Sequence, residues 1–313
     1  MSRSVTIVSI ADIPLHVPSG LGREGSSASK PFPLDTGIPG VRLEFTWRRY
    51  DKGYGTPRHT HIFDQYRYNM KGKREIKDGF VNEGEVCFYP EGVYYGPQLQ
   101  TEECTGLGLQ FQGQTGIRYL THKELGDARK ALTAEGATFK GGVCTWLKPD
   151  GHKINKDSHL ACTEYVTGEK VEFPKPRFDK PVVMRPQGHP WIGDRKCDGV
   201  EHKRLGTFGG SGIRMTRLLP GATIPAHHAD DAEIRYLISG SIEYGGKTWL
   251  GGQSEDVGTY MYVPHNSDVG EITTKTGGEF YVIELAMLAD IENGRMHLNK
   301  EVKMTPEMES ATA

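Results

Sequence analysis

"GTPRHTHIFDQYRYNMKGK" (residues 55–73) sets His59 and His61 two apart, with Gln65 four positions after the second histidine and Gly72 seven further on. In an extended strand, residues two apart face the same side. The two imidazoles therefore point together, and so do Gln65 and Arg67 on the aromatic run that follows. Such a cluster suits either a metal ion or a set of polar side chains that satisfy one another inside a sheet.

The stretch has a partner in the chain. "GATIPAHHADDAEIRYLISG" (residues 221–240) trails it by a constant 168 positions: Gly53 meets Gly221, Pro57 meets Pro225, His59 meets His227, Gln65 meets Glu233, Arg67 meets Arg235, Tyr68 meets Tyr236 and Gly72 meets Gly240. Matches at a fixed offset mark a duplicated unit. Downstream, "GEVCFYPEGVYY" opens at Gly84 and "GTYMYVPHNSDV" at Gly258. Both read glycine, five residues, proline, now at an offset of 174, so one connecting loop is six residues longer in the second copy. A surface turn absorbs that change at small entropic cost.

Each copy consists of short aromatic and β-branched runs that end in glycine turns, among them "VRLEFTWRRY", "GIRMTRLLPG" and "GEFYVIELAML". The pattern predicts an all-β fold, two jelly-roll β-barrels in tandem joined by a helix-containing linker. The N-terminal barrel is expected over residues 1–118, a linker with one helix over 119–180 and the C-terminal barrel over 181–313. The linker helix is read from "THKELGDARKALTAEG", where Thr121 and Glu124 fit a capping box and Gly136 a C-terminal stop. The last residues, "TPEMESATA", read as a frayed tail.

The 313 residues are ample for two domains. Lys and Arg number 38 against 40 Asp and Glu, without a long run of either sign, so neither nucleic acid nor an anionic membrane surface has an electrostatic footprint here. No apolar stretch reaches the length of a membrane span. The apolar run near the start is short and broken by Asp12 and Pro14, unlike a signal peptide. Five scattered cysteines without a C-x-x-C pair read as free thiols of a cytoplasmic protein.

The paired motifs resemble those of the cupin superfamily, G-x5-H-x-H-x3,4-E-x6-G followed by G-x5-P-x-G-x2-H-x3-N. The first copy supplies Gly53, His59, His61, Gln65 and Gly72, then Gly84, Pro90 and Gly92, with Tyr95 at the place of the third histidine. The second supplies Gly221, His227, Glu233 and Gly240, with Ala229 for the second histidine, then Gly258 and Pro264, with Asn266 and Val269 at the glycine and histidine places. Both halves match, so the chain resembles a bicupin. "PRHTH" followed by "YRYNMKG" is most similar to ring-cleaving bicupins of the gentisate dioxygenase type.

The resemblance implies a metal-dependent oxidoreductase, in the first place a dioxygenase acting on a small aromatic or dicarbonyl acid in the N-terminal barrel. Its metal would rest on His59, His61 and Gln65. Iron is the first expectation, divalent or ferric, with Mn, Ni, Cu or Zn as alternatives. Tyr95 and Arg67 would be catalytic, and Arg67, Tyr68 and Phe88 would contact substrate. In the second barrel His227, Glu233 and Arg235 form the corresponding set, with Glu233 and Arg235 either a structural ion pair or a grip for a carboxylate. Because the third histidine is replaced, a metal-free isomerase, cyclase or lyase using His and Tyr as acid and base is the alternative, and a non-catalytic small-molecule binder the next. Exposed sheet edges of the kind cupins bury in dimers suggest a homodimer.

Overall fold

The structure, a computed structural model, describes residues 4–17, 25–76, 79–113, 115–117 and 120–295. The tail read as frayed lies outside the described residues. Two large antiparallel sheets dominate. In the first, the strand order is Val182–Met184, Val86–Tyr89, Phe63–Lys71, Cys104–Gln112, Glu44–Tyr50 and Ser27–Pro31. The main path of the second runs Thr6–Ser9, Thr259–Val263, Ala232–Tyr244, Gly278–Leu285, Ser211–Leu218, Val200–Phe208 and Ile192–Gly193. Neither sheet closes into a continuous hydrogen-bonded barrel. Short pairs, Gly55–Thr56 with Gln98–Leu99 and His227–Ala229 with Ser267–Val269, form separate two-stranded sheets beside them.

Period-two alternation decides where each side chain goes. On the central strand Phe63–Lys71, Tyr66 and Tyr68 lie on one face and Gln65 and Arg67 on the other. The first face, with Phe45, Trp47, Phe88 and Leu109, packs against the matching face of the second sheet, with Ile213, Ile234, Tyr236, Tyr260 and Tyr281, in one core cluster. Tyr68 stacks on Tyr281 at 4.8 Å, Phe88 on Phe208 at 4.6 Å and Phe32 on Tyr260 at 4.7 Å. The Tyr66 hydroxyl donates to the carbonyl of Phe208 at 3.0 Å.

Two edge strands cross between the halves. Thr6–Ser9 pairs with Thr259–Val263 in the second sheet, and Val182–Met184 pairs with Val86–Tyr89 in the first. The linker carries two helices where one was expected: α1, His122–Ala134, has the Thr121/Glu124 capping box, and α2 is Ser158–Thr167. Asp157 caps α2 by accepting from the amides of His159 and Leu160, and Gly168 ends it at φ 70°. Both helices pack with a three-stranded sheet (Thr138–Lys140, Val143–Leu147, Lys153–Asp157), and their apolar cluster reaches Ile62 and Phe63 beside the first motif.

Because the tyrosine stack joins the sheets, Tyr281→Ala should cost about 3–5 kcal/mol in denaturant unfolding and leave one cooperative transition; two separate transitions would show that the halves fold independently. Asp64 is buried, and its carboxyl is pushed up to about 6 by that burial against the opposing hydrogen bond from the Glu91 amide. A raised carboxyl favours folding when protonated, so this group weakens the fold as pH climbs through 6. Asp64→Asn should therefore raise stability above pH 6 by up to about 2 kcal/mol, and not below pH 4, in urea melts across that range.

Candidate functional site

The first motif folds where the sequence places it. His59 and Tyr95 form a backbone bridge, with the amide of each donating to the carbonyl of the other at 3.0 Å. Gly92 donates to the carbonyl of His61 at 3.0 Å, so the loop of the second motif is zipped along the first. His59 donates from Nδ1 to the Pro57 carbonyl at 2.7 Å, which fixes Nδ1 as a protonated ring nitrogen. His61 Nε2 lies 2.6 Å from the Tyr95 hydroxyl, and Arg67 Nη2 donates to the same oxygen at 3.4 Å. The two imidazoles stand 4.9 Å apart, edge to face, and both are buried.

The cluster has a member that the motifs do not contain. His159, in the first turn of α2, sits with its ring 5.5 Å from that of His61 and 5.9 Å from that of Phe63. The sequence held one usable signal for it: Asp157 followed eleven residues later by Gly168 is a helix cap at each end. Tyr68 and Phe88, by contrast, face away from the cluster, because their parity on adjacent strands puts them in the core between the sheets. They do not line the site expected of them.

On the face that does point inward, register pairs Gln65 with Tyr89 and Arg67 with Cys87 on one side, and Arg67 with Gly108 on the other. Glycine at 108 leaves space beside the guanidinium. The cavity there is small, about 10 Å3, and is lined by Arg48, Tyr50, Gln65, Arg67 and Arg74. Arg67 lies over the Tyr89 ring at 4.7 Å and Arg74 over the Tyr50 ring at 4.4 Å. The Gln65 carbonyl oxygen is buried without a hydrogen-bond partner. Burial pushes the Cys87 thiol up to about 12, and it also pushes the Tyr89 phenol up, so both are neutral at pH 7.

The second barrel is different in kind. Its inward face opens on a cavity of about 520 Å3, inside the range that holds a small organic molecule. Glu233 lies on its floor between two arginines, its oxygens accepting from Arg214 Nη2 at 2.9 Å and from Arg235 Nε at 2.6 Å. Arg214 also pairs with Glu284 and donates from Nε to Thr216. Burial alone would raise the Glu233 carboxyl, but the two guanidiniums outweigh it and hold the group down at about 2. His227 lines the same cavity and repeats the device of His59, donating from Nδ1 to the Pro225 carbonyl at 2.9 Å. His202 is held between Thr216 and Asp194 at 2.9 and 3.1 Å, and its burial keeps it neutral at pH 7. Four lysine and arginine side chains line this cavity against three acids, a balance that favours an anionic guest.

A transition metal is what the motif resemblance implies, and the donors of each barrel test it. Among the described residues no three His, Cys, Asp or Glu side chains converge on one point that would hold a metal ion. In the first barrel the donors beyond the histidines, Gln65 and Tyr95, are neutral groups, and a guanidinium stands at the phenol oxygen. A divalent ion would meet no carboxylate and one adjacent cation. In the second barrel both Glu233 oxygens are engaged by arginines, and Ala229 and Val269 provide no donor. Neither set brings three such donors to one point, so neither is assembled as a site for a divalent cation.

No family model and no curated protein matches the sequence. Solved structures do. A candidate dioxygenase from Nostoc punctiforme is similar with a TM-score of 0.62 at 14% identity, over 91% of this chain and 83% of that one. Oxalate decarboxylase from Bacillus subtilis is similar with a TM-score of 0.52 at 16% identity, over 91% of this chain and 76% of that one. The shared feature is the fold: this chain is mostly β, and its architecture is similar to theirs over nine-tenths of its length. Among the described residues no helix is long and apolar enough to cross a membrane.

Glu233→Gln should cost about 3–5 kcal/mol at pH 7, the usual result of removing one partner from a buried ion pair. Its depressed carboxyl stabilises the fold above pH 4.5, and this contribution disappears as pH falls toward 2. Acid titration followed by circular dichroism should therefore show a shallower loss of stability between these values in the variant. Unchanged acid limbs would show that the pair is energetically idle.

Proposed function

We propose that the protein is a cupin-fold enzyme that acts on a small carboxylic acid, bound in the second barrel and transformed by proton transfer. The observation that carries this reading is the 520 Å3 cavity with Arg235 on its floor and His227 in its wall. Arg235 spends only Nε on Glu233, so its terminal nitrogens are available to a carboxylate in the bidentate geometry that guanidinium favours. Glu233 holds that guanidinium in place. His227, with Nδ1 fixed by Pro225, presents Nε2 as the proton acceptor. A base beside a guanidinium suits removal of a proton next to a carbonyl, with the positive group steadying the enolate that forms. Isomerisation, cyclisation or elimination in small oxo or dicarboxylic acids all begin with that step.

The solved neighbours support an enzyme of small molecules without fixing the reaction. The dioxygenase reading, with metal at His59 and His61, is favoured by their burial and close approach, but the charge around them opposes it.

Incubating the full chain with C3 to C6 oxo and dicarboxylic acids in D2O, and following deuterium uptake by NMR, tests the proposal. Exchange should survive chelators, and His227→Asn should lower it by about 10²–10⁴-fold with binding little changed. Oxygen uptake that requires added metal and disappears in His59→Ala would assign the protein to the dioxygenases instead. Tight binding without any exchange would make it a binder.

A further inference from the structure

We propose that the first barrel binds a small inorganic anion, of chloride size, between the guanidinium groups of Arg67 and Arg74. The site is separate from the one in the second barrel and does not rest on it. Both arginines are deeply buried, at 9% and 4% exposure, and line the same small cavity. Among the described residues neither makes an ion pair. Arg67 makes one hydrogen bond, the 3.4 Å contact with Tyr95, and Arg74 makes none. The charge of Arg67 opposes that of Arg74, and Tyr50, Gln65 and Leu107, which share their cavity, carry no fixed negative charge.

Buried charge without a counter-charge is strongly unfavourable. The cation–π contacts to Tyr50 and Tyr89 offset only a small part of it. The neighbouring thiol of Cys87 and phenol of Tyr89 are neutral for the reason given above, so they do not supply the missing negative charge. Arg48, the third arginine of the cavity, is paired with Glu44 at 2.7 Å. The free space, about 10 Å3, accommodates about one water-sized particle, which excludes a carboxylic acid or phosphate. A water molecule would fit but would not neutralise two guanidiniums. A monatomic anion is only slightly larger than water, and it cancels one of the two charges and screens the rest. The sign is opposite to that of the cation expected from the motif, and the two substitutions from it, Gln65 for an acid and Tyr95 for a histidine, remove the groups that would attract a metal.

Two measurements on the full chain decide this. Crystals soaked in sodium bromide should show an anomalous bromine peak within hydrogen-bond reach of both guanidiniums. The unaltered chain should melt about 2 °C higher for each tenfold increase in chloride over gluconate at matched ionic strength, and Arg74→Met should lose that chloride increment. An empty or water-only cavity in saturating bromide overturns the proposal. So do superimposable melting curves in chloride and gluconate, a result that needs no variant to fold. Neither outcome bears on deuterium exchange at His227, so the two readings fail separately.

Discussion

Two sheets of one chain share a single aromatic face, and the polar residues of their central strands are placed by what that face takes up. Tyr66, Tyr68, Phe88, Tyr236, Tyr260 and Tyr281 are committed to the seam. Strand alternation then sends Gln65, Arg67, Glu233 and Arg235 to the opposite faces, because a one-residue slip would put a guanidinium into the seam. The burial of large aromatics on both sides of the contact makes such a slip prohibitively costly.

The duplicated positions have diverged in charge within a common frame. His59 and His227 keep the same tether to a proline carbonyl two residues earlier. Arg67 and Arg235 keep the same place on the central strand. What differs is the acid: Glu233 stands beside Arg235, whereas Gln65 stands beside Arg67. With the acid, the second barrel builds a neutralised floor beneath an open cavity. Without it, the first barrel keeps two uncompensated cations in a nearly filled interior. One exchange of carboxylate for amide thus separates a roomy, balanced chamber from a tight, positive one.

Much of this was legible in the residues. The offset repeat predicted two related β units, and the parity of Gln65 with Arg67 and of Glu233 with Arg235 predicted which side chains would meet. The Glu233–Arg235 ion pair follows from that parity directly. Other features depend on distance in space and had no local signature. Arg214 reaches Glu233 from a strand 19 positions away, and Arg74 enters the first cavity from a short hairpin. His159 arrives on a helix whose apolar residues show little one-sidedness, so only its caps announced it. Tyr68 and Phe88 were read as pocket residues because aromatic character alone does not tell a pocket from a seam; their parity does.

The exchanged edge strands have a consequence for biosynthesis. The segment Thr6–Ser9 is made some 250 residues before its partner, Thr259–Val263. Until then its backbone donors and acceptors face water or whatever else is near. The sheet of the leading half waits in the same way for Val182–Met184. The leading half therefore cannot finish its sheet during its own translation, and an arrest of synthesis before Val182 leaves both that sheet edge and the Thr6–Ser9 strand without their partners.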